Sequence, residues 1–384
     1  MEKMITVRYG EIAIKGKNRS QFENTLIQNI KNALQGEGFS KIEKKEKRLL
    51  VFLKPEARID MIAEKLKNVF GIEWFSIAFS TVKDLEEIKK LVLEQSVIYK
   101  DRTIKVNAKR SDKTFQINSM EINKQIGEVL YNNGFKIDVK NPQVMINLEI
   151  LRNRANVFFD KIPGLGGLPV GCSGKVLCLL SGGIDSPVAS FLMMKRGCEV
   201  DFLHVHPLAS NEQVKNSKIP KIVEKLDYYF QKKSKLFVVS YTEFYKKTFG
   251  INSKDTRNEL VLFRRFIIKL ANKIAKQYNY LGIVTGDSIA QVASQTLENL
   301  MVTSGMSEIP LYRPLLTYDK KEIINIAEKI GTYKISLEEY RDCCSLVANK
   351  HPATKAKIED IERLEENIEI EKIVSDTLEK IAIF

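Results

Sequence analysis

The stretch that most constrains this 384-residue chain is a continuous apolar run over 176–180 that meets the turn Ser181-Gly182-Gly183-Ile184-Asp185-Ser186 and passes into Pro187 and a helical pattern. An uninterrupted apolar run of that length is the signature of a strand buried on both faces, which belongs to a parallel sheet. Gly182 and Gly183 lack a Cβ, so they admit positive φ and let an anion approach the backbone amides. Ser186 is suited to cap the following helix, Pro187 to its first turn, and Gly197 to its end. Together they aim a helix N-terminus at an anion. Asp185 has no evident structural duty beside a phosphate, and is read as the carboxylate that holds Mg²⁺ on it.

Strand and helix patterns alternate after this turn. Strands are expected at 176–180, 200–205, 236–239 and 281–284, and helices at 187–196, 211–230 and 256–277. That order predicts an α/β domain with a parallel sheet and ligands beyond the carboxyl ends of its strands. Before it, four glycines and two prolines in residues 163–171 mark a linker. The N-terminal half reads as α+β. Strands are expected at 5–9, 49–53, 74–79, 103–108 and 146–150, and helical patterns near 57–68, 84–97 and 119–132. A further helix starts at a capping box, Ser20-x-x-Glu23, and buries Phe22, Leu26, Ile30 and Leu34.

Charge divides unevenly between the halves. Residues 1–165 hold 30 Lys/Arg against 21 Asp/Glu, and 166–384 hold 31 against 27, so the shorter half carries most of the net +13. A polyanion held by the N-terminal half fits this asymmetry. No apolar run is long enough to span a membrane, no signal sequence is legible, and five cysteines are an odd count. These features exclude a disulfide scaffold and a membrane protein, and a cytoplasmic location is expected.

The lysine-free loop SGGIDS resembles that of the PP-loop ATP pyrophosphatases, which cleave ATP between its α and β phosphates. The longer stretches GGLPVG, SGKVLCLLSGGIDSPVAS, TGDSIAQVASQTLENL (285–300) and RPLLTYDKKEI (313–323) resemble the tRNA 4-thiouridine synthetase, or tRNA sulfurtransferase, family (ThiI). RYGEIAIKGKNRSQFE is similar to its ferredoxin-like domain, and KRSDKTFQINSMEIN (109–123) to its RNA-binding THUMP domain. The resemblance implies a ferredoxin-like domain at 1–57, a THUMP domain at 58–162, a linker at 163–174 and a PP-loop, adenine nucleotide alpha hydrolase-like domain at 175–384.

The resemblance also implies ATP contacts from Leu179, Leu180, Ser181, Gly182, Gly183, Asp185, Ser186, His204, Val205, Arg264, Gly286 and Gln295. Which of Arg264 and Arg265 meets ATP stays open, the other being expected to face solvent or RNA. Gln295 suits nucleotide binding and backbone capping equally. The implied activity is adenylation of uridine 8 of tRNA and replacement of its C4 oxygen by persulfide sulfur. Asp342-Cys343-Cys344-Ser345 is the candidate sulfur segment: Cys344 matches the family's reactive thiol, Arg341 is expected to favour its thiolate, and Cys343 could resolve it. Cys172, Cys178 and Cys198 are expected to be structural.

Lys105, Lys109, Arg110 and Lys113 are the candidate RNA contacts, with Lys15, Lys17 and Arg19 extending the track. Only residues 345–384 follow Cys344, so the form without a rhodanese-like domain is expected, with a cysteine desulfurase as sulfur donor. A role with the thiamine sulfur-carrier protein can coexist. A homodimer is left open. The alternatives are another PP-loop tRNA-modifying enzyme, a THUMP methyltransferase, which SGGIDS disfavours, and a non-catalytic THUMP RNA-binding protein.

Overall fold

The computed structural model describes residues 2–249, 251–252, 255–348 and 351–384. They form two compact units that divide between Gly167 and Leu168, inside the glycine-rich stretch. No helix among the described residues is long and apolar enough to cross a membrane.

In the first unit the elements run β1 (Glu2–Arg8), α1 (Arg19–Ala33), β2 (Phe39–Lys45), β3 (Arg48–Leu53), α2 (Ile59–Lys67), β4 (Trp74–Thr81), α3 (Leu85–Ser96), β5 (Thr103–Arg110), α4 (Ser119–Asn132), β6 (Lys136–Ile137), β7 (Val144–Ile150), β8 (Ala155–Phe158) and β9 (Ile162–Pro163). The strands make one sheet of nine, in the order β2-β3-β1-β4-β8-β7-β5-β6, with β9 also on β4. The two small α+β units expected from the sequence therefore share a sheet. The β4–β8 pair, from Ala78 opposite Phe158 to Thr81 opposite Ala155, is the seam. β2 and β8 escape sequence reading because β2 is mostly polar and half exposed and β8 is only four residues long.

Strong caps fix α3 and α4. Asp84 accepts from the amides of Glu86 and Glu87, and Asn118 from that of Glu121. The capping box expected at Ser20 does not form. α1 starts two residues earlier, after Asn18, and Glu23 is buried, accepting from the Tyr9 hydroxyl at 2.5 Å and pairing with Arg19. A buried tyrosine hydroxyl needs a partner more than an exposed helix end needs a cap. Leu26, Ile30 and Leu34 are buried as expected, and Phe22 is half-buried.

In the second unit β10 (Lys175–Leu179), α5 (Asp185–Lys195), β11 (Glu199–His206), α6 (Lys218–Phe230), β12 (Leu236–Ser240), α7 (Thr242–Thr248), α8 (Glu259–Tyr278), β13 (Ile283–Val284), α9 (Leu297–Ser304), β14 (Leu311–Tyr312) and α10 (Lys320–Ile330) lead to a C-terminal set, α11 (Tyr333–Ser336), α12 (Cys343–Val347), α13 (Ile358–Asn367), α14 (Ile370–Leu378) and β15 (Ala382–Ile383). The sheet order is β14-β13-β10-β11-β12-β15, parallel except for β15. β10 lies between β13 and β11, where the strand order reverses, which is where open α/β sheets bind ligands. The single helix expected over 211–230 is broken at Ser217, whose side chain caps α6 by accepting from the Ile219 amide at 3.2 Å. α8 supplies one face of the core: Phe263 and Phe266 pack with Leu177, Leu203, Phe237 and Ile283 of the strands. Each such side chain contributes about 1.5–3 kcal/mol on full burial.

A phosphate turn facing a cysteine

β10 ends at Leu179, and the turn after it is closed by its own two serines. The Ser181 amide donates to Ser186 Oγ at 2.9 Å, the two hydroxyls are 3.1 Å apart, and Gly183 N donates to Ser181 Oγ at 3.3 Å. Ser186 thus ties the loop shut and does not cap α5, whose N-cap position is Ile184 with no side-chain bond. Among the described residues no side chain caps the first turn of α5. Neither Gly182 nor Gly183 has positive φ. At Gly182 a Cβ would stand 2.8 Å from Lys218 Cε and 3.0 Å from Tyr340 Cδ1, so those two side chains would have to shift. Gly286 is tighter still, since its Cβ would meet Ser186 N at 2.7 Å.

Beyond the turn is a cavity of about 320 Å³ lined by Leu179, Leu180, Ser181, Gly183, Asp185, Ser186, Val205, Arg264, Gly286, Gln295 and Cys344, among others. Eleven of the thirteen expected catalytic and nucleotide-site residues therefore face one space. Gly182 and His204 do not line it: the His204 ring is buried, its Nδ1 2.9 Å from Leu180 O.

Part of the cavity wall is a buried charge cluster that sequence reading missed. Asp287, 2% exposed, is hydrogen-bonded to Arg264, accepts from Arg313 Nε at 3.0 Å and from the Thr285 hydroxyl at 2.8 Å, and from Gln295 Nε2 at 3.3 Å. Burial alone would raise its pKa; the Arg264 guanidinium and these hydrogen bonds outweigh burial and bring it to about 2. The signal was present, since Asp287 follows Gly286 at a strand end and Arg313 opens the quoted stretch 313–323. Arg265, expected to face solvent or RNA, is instead fully buried on the far side of α8 in a two-point pair with Glu365, at 2.8 and 2.7 Å. Adjacent helix positions point about 100° apart, so one arginine reaches the cavity and its neighbour the core. Gln295 Oε1 and Gln291 Oε1 are buried acceptors with no partner among the described residues, as expected where a ligand supplies the donor.

Asp185 accepts from Gln291 Nε2 at 2.9 Å and pairs with Lys320 Nζ at 2.9 Å. Lys320 is placed by a capping box at the start of α10, Asp319 with Glu322.

Cys344 sits half-buried on α12 against the cavity. The expectation that Arg341 favours its thiolate is overturned. Burial, with Asp342 adding to it, pushes the thiol up to about 12 against the pull of Arg264. Cys343 is 1% exposed, lines the same cavity and donates to Val205 O at 3.5 Å. Cys178 is buried in β10 and Cys198 is buried at the other end of β11.

In the first unit, Lys109 and Lys113 are exposed. Lys109 borders a second cavity of about 420 Å³ with Arg8, Trp74 and Lys161. Lys105 donates to Val139 O at 2.9 Å, and Arg110 donates to Phe115 O and Ile117 O at 2.7 and 3.0 Å, so both also brace loops.

Fold and site define a PP-loop α/β domain coupled to a ferredoxin-like and THUMP half. The family model described as thiamine biosynthesis protein (ThiI) matches residues 171–370, that of the ThiI ferredoxin-like domain 4–76 and that of the THUMP domain 79–160. A protein of Caldanaerobacter subterraneus subsp. tengcongensis named "Probable tRNA sulfurtransferase" is 41% identical, covering 99% of each chain, and one of Coxiella burnetii with the same name is 37% identical, covering 99% of this chain and 98% of its own. Among solved structures, a 4-thiouridine synthetase in complex with RNA and ATP superposes with TM-score 0.90 at 32% identity, covering 100% of this chain and 99% of its own. PH1313 from Pyrococcus horikoshii gives 0.67 at 27%, covering 86% and 99%. The chain belongs to the tRNA sulfurtransferase (ThiI) family.

Proposed function

We propose that this chain is an ATP-dependent tRNA sulfurtransferase that converts uridine 8 of tRNA to 4-thiouridine, releasing AMP and pyrophosphate. The observation that carries this reading is the single cavity into which both the phosphate turn and Cys344 project. The relatives' shared name and the RNA- and ATP-bound 4-thiouridine synthetase support the substrate assignment.

The turn amides and the α5 N-terminus hold the phosphates, and the orphaned Gln295 oxygen accepts a donor from the nucleotide. Magnesium fits Asp185, because that ion keeps most of its water and is held by one or two carboxylates together with substrate phosphates. Uridine O4 attacks the α-phosphorus, the bond to the β-phosphate breaks, and pyrophosphate leaves. The terminal sulfur of a Cys344 persulfide then attacks C4 and AMP departs with the oxygen. A second thiol, Cys343 in this reading, displaces the sulfur now bound to C4, forming a disulfide with Cys344 that an external dithiol reduces. A cysteine desulfurase loads Cys344, in the cytoplasm, where tRNA is found. The first unit grips the tRNA, with Lys105, Lys109, Arg110 and Lys113 at phosphates. The family model's description favours a second use of the same persulfide, sulfur supply to the thiamine carrier protein.

The test compares tRNA thiolation driven by desulfurase plus cysteine with that driven by sulfide. Cys344→Ala is expected to abolish the first and to keep pyrophosphate release; full desulfurase-driven activity in this variant defeats the reading.

A further inference from the structure

Residues 337–342, which join α11 to the cysteine-bearing α12, form neither helix nor strand, so their position depends on side-chain anchors. Besides the exposed pair of Lys221 Nζ with Glu338 Oε2 at 2.7 Å, three side chains tie the segment toward the phosphate turn. Lys218, at the start of α6, is 7% exposed, and its Nζ donates to Ser336 O at 2.6 Å and Glu338 O at 2.7 Å. Its stem and the Tyr340 ring fill the space where a Cβ on Gly182 would lie. The Ser336 hydroxyl donates to Gly183 O at 3.3 Å. Tyr340 Oη lies 2.7 Å from His204 Nε2, and His204 Nδ1 lies 2.9 Å from Leu180 O.

The direction of the last chain follows from chemistry. A carbonyl only accepts, so Nδ1 carries the proton. Burial keeps His204 neutral, with its pKa down at about 4, so Nε2 accepts from the Tyr340 hydroxyl. Residues 336–340 are thereby joined to Leu180, Gly182 and Gly183, and Cys344 follows four positions later. A buried ammonium committed to two loop carbonyls is a costly way merely to fill space, since an apolar side chain would serve better.

We propose that Tyr340 and Lys218 are positioning residues that latch the Cys344 segment onto the phosphate turn, so that the turn, itself closed by its own serines, fixes where the sulfur-bearing thiol stands. This rests on the assignment of Cys344 as the sulfur carrier. Neither residue lines the cavity.

Tyr340→Phe removes only the hydroxyl and Lys218→Met keeps the stem, so two independent variants test the latch. Three quantities are measured in the full chain: alkylation of Cys344 by iodoacetamide, resolved from Cys343 by peptide mass analysis; ATP affinity; and thiolation of tRNA with desulfurase plus cysteine or with sulfide. Local release of the segment is expected to raise the Cys344 alkylation rate about tenfold or more in both variants. ATP affinity and sulfide-driven thiolation are expected to stay within about threefold, while desulfurase-driven thiolation falls at least about tenfold. An unchanged alkylation rate overturns the proposal, and so does a loss of ATP affinity that parallels the loss of thiolation. If the wild-type chain transfers no sulfur at all, the sulfurtransferase reading fails, and alkylation with ATP affinity still decides the latch.

Discussion

Lys320 and Asp185 are ion-paired across the mouth of the phosphate turn, Nζ to Oδ1 at 2.9 Å, although 135 residues separate them. Both side chains are partly exposed, so Lys320→Met is expected to change stability by less than about 1 kcal/mol. Its effect falls on chemistry, where charge builds on the phosphates. Pyrophosphate release is expected to drop about 10²-fold or more, the scale for losing one electrostatic stabiliser. Urea denaturation and a pyrophosphate assay separate the two effects.

Gly286→Ala places a Cβ 2.7 Å from Ser186 N and 2.9 Å from the Asp185 carbonyl carbon, both backbone atoms of the turn. Backbone cannot step aside as a side-chain tip can, so a loss of about 1–3 kcal/mol is expected together with weaker ATP binding. Gly305→Ala is the control. It meets nothing closer than 3.8 Å, has no positive φ, and is expected to be neutral or mildly stabilising.

Asp287→Asn leaves Arg264 and Arg313 without their counter-charge, at a cost of about 3–5 kcal/mol. The sign with pH follows from a folded pKa of about 2, below the unfolded carboxylate value of about 3.9. The contribution is fully present above that unfolded value and is lost as pH falls from about 4 toward 2. Urea titrations of wild type and variant at pH 7 and pH 3 are expected to show the gap narrowing at the lower pH; a constant gap contradicts it.

Asp342 caps α12 and adds its negative charge to burial in raising the Cys344 thiol. Asp342→Asn keeps a capping side chain and removes the charge, so the Cys344 alkylation rate at pH 8 is expected to rise about tenfold, one pKa unit's worth. The pH profile of alkylation measures the shift directly.

Lys109→Ala is expected to weaken tRNA binding and to lower the slope of log affinity against log salt by about 0.7–0.9, the value for one phosphate contact. Lys105→Ala removes a brace on the 138–141 loop, which accepts from Lys105 Nζ at Val139 O, so it is expected to lower stability as well. Filter binding across a salt series distinguishes the two.

The apolar strand, the SGGIDS turn and the alternation of elements after it were legible in the sequence, because the type of an element follows from the residue pattern along it. The cysteine pair at 343–344 was legible too, but not that both thiols line the cavity beyond the turn. What stayed hidden was partnership across long separations. Nothing in the spacing of Asp287, Arg313 and Arg264 says that two guanidiniums share one buried carboxylate. Ser186 was legible as a cap, yet the turn's curvature brings its hydroxyl within bonding distance of Ser181 and makes it a clasp. Arg341 suggested an activated thiol, whereas burial of α12 and the Asp342 charge raise it. The sequence by itself determined which chemistry the chain carries, since that rests on residue types in local order. The tertiary structure decided which side chains share a low-dielectric space, and with it their charges and orientation, because burial and pairing depend on distances that chain order does not encode.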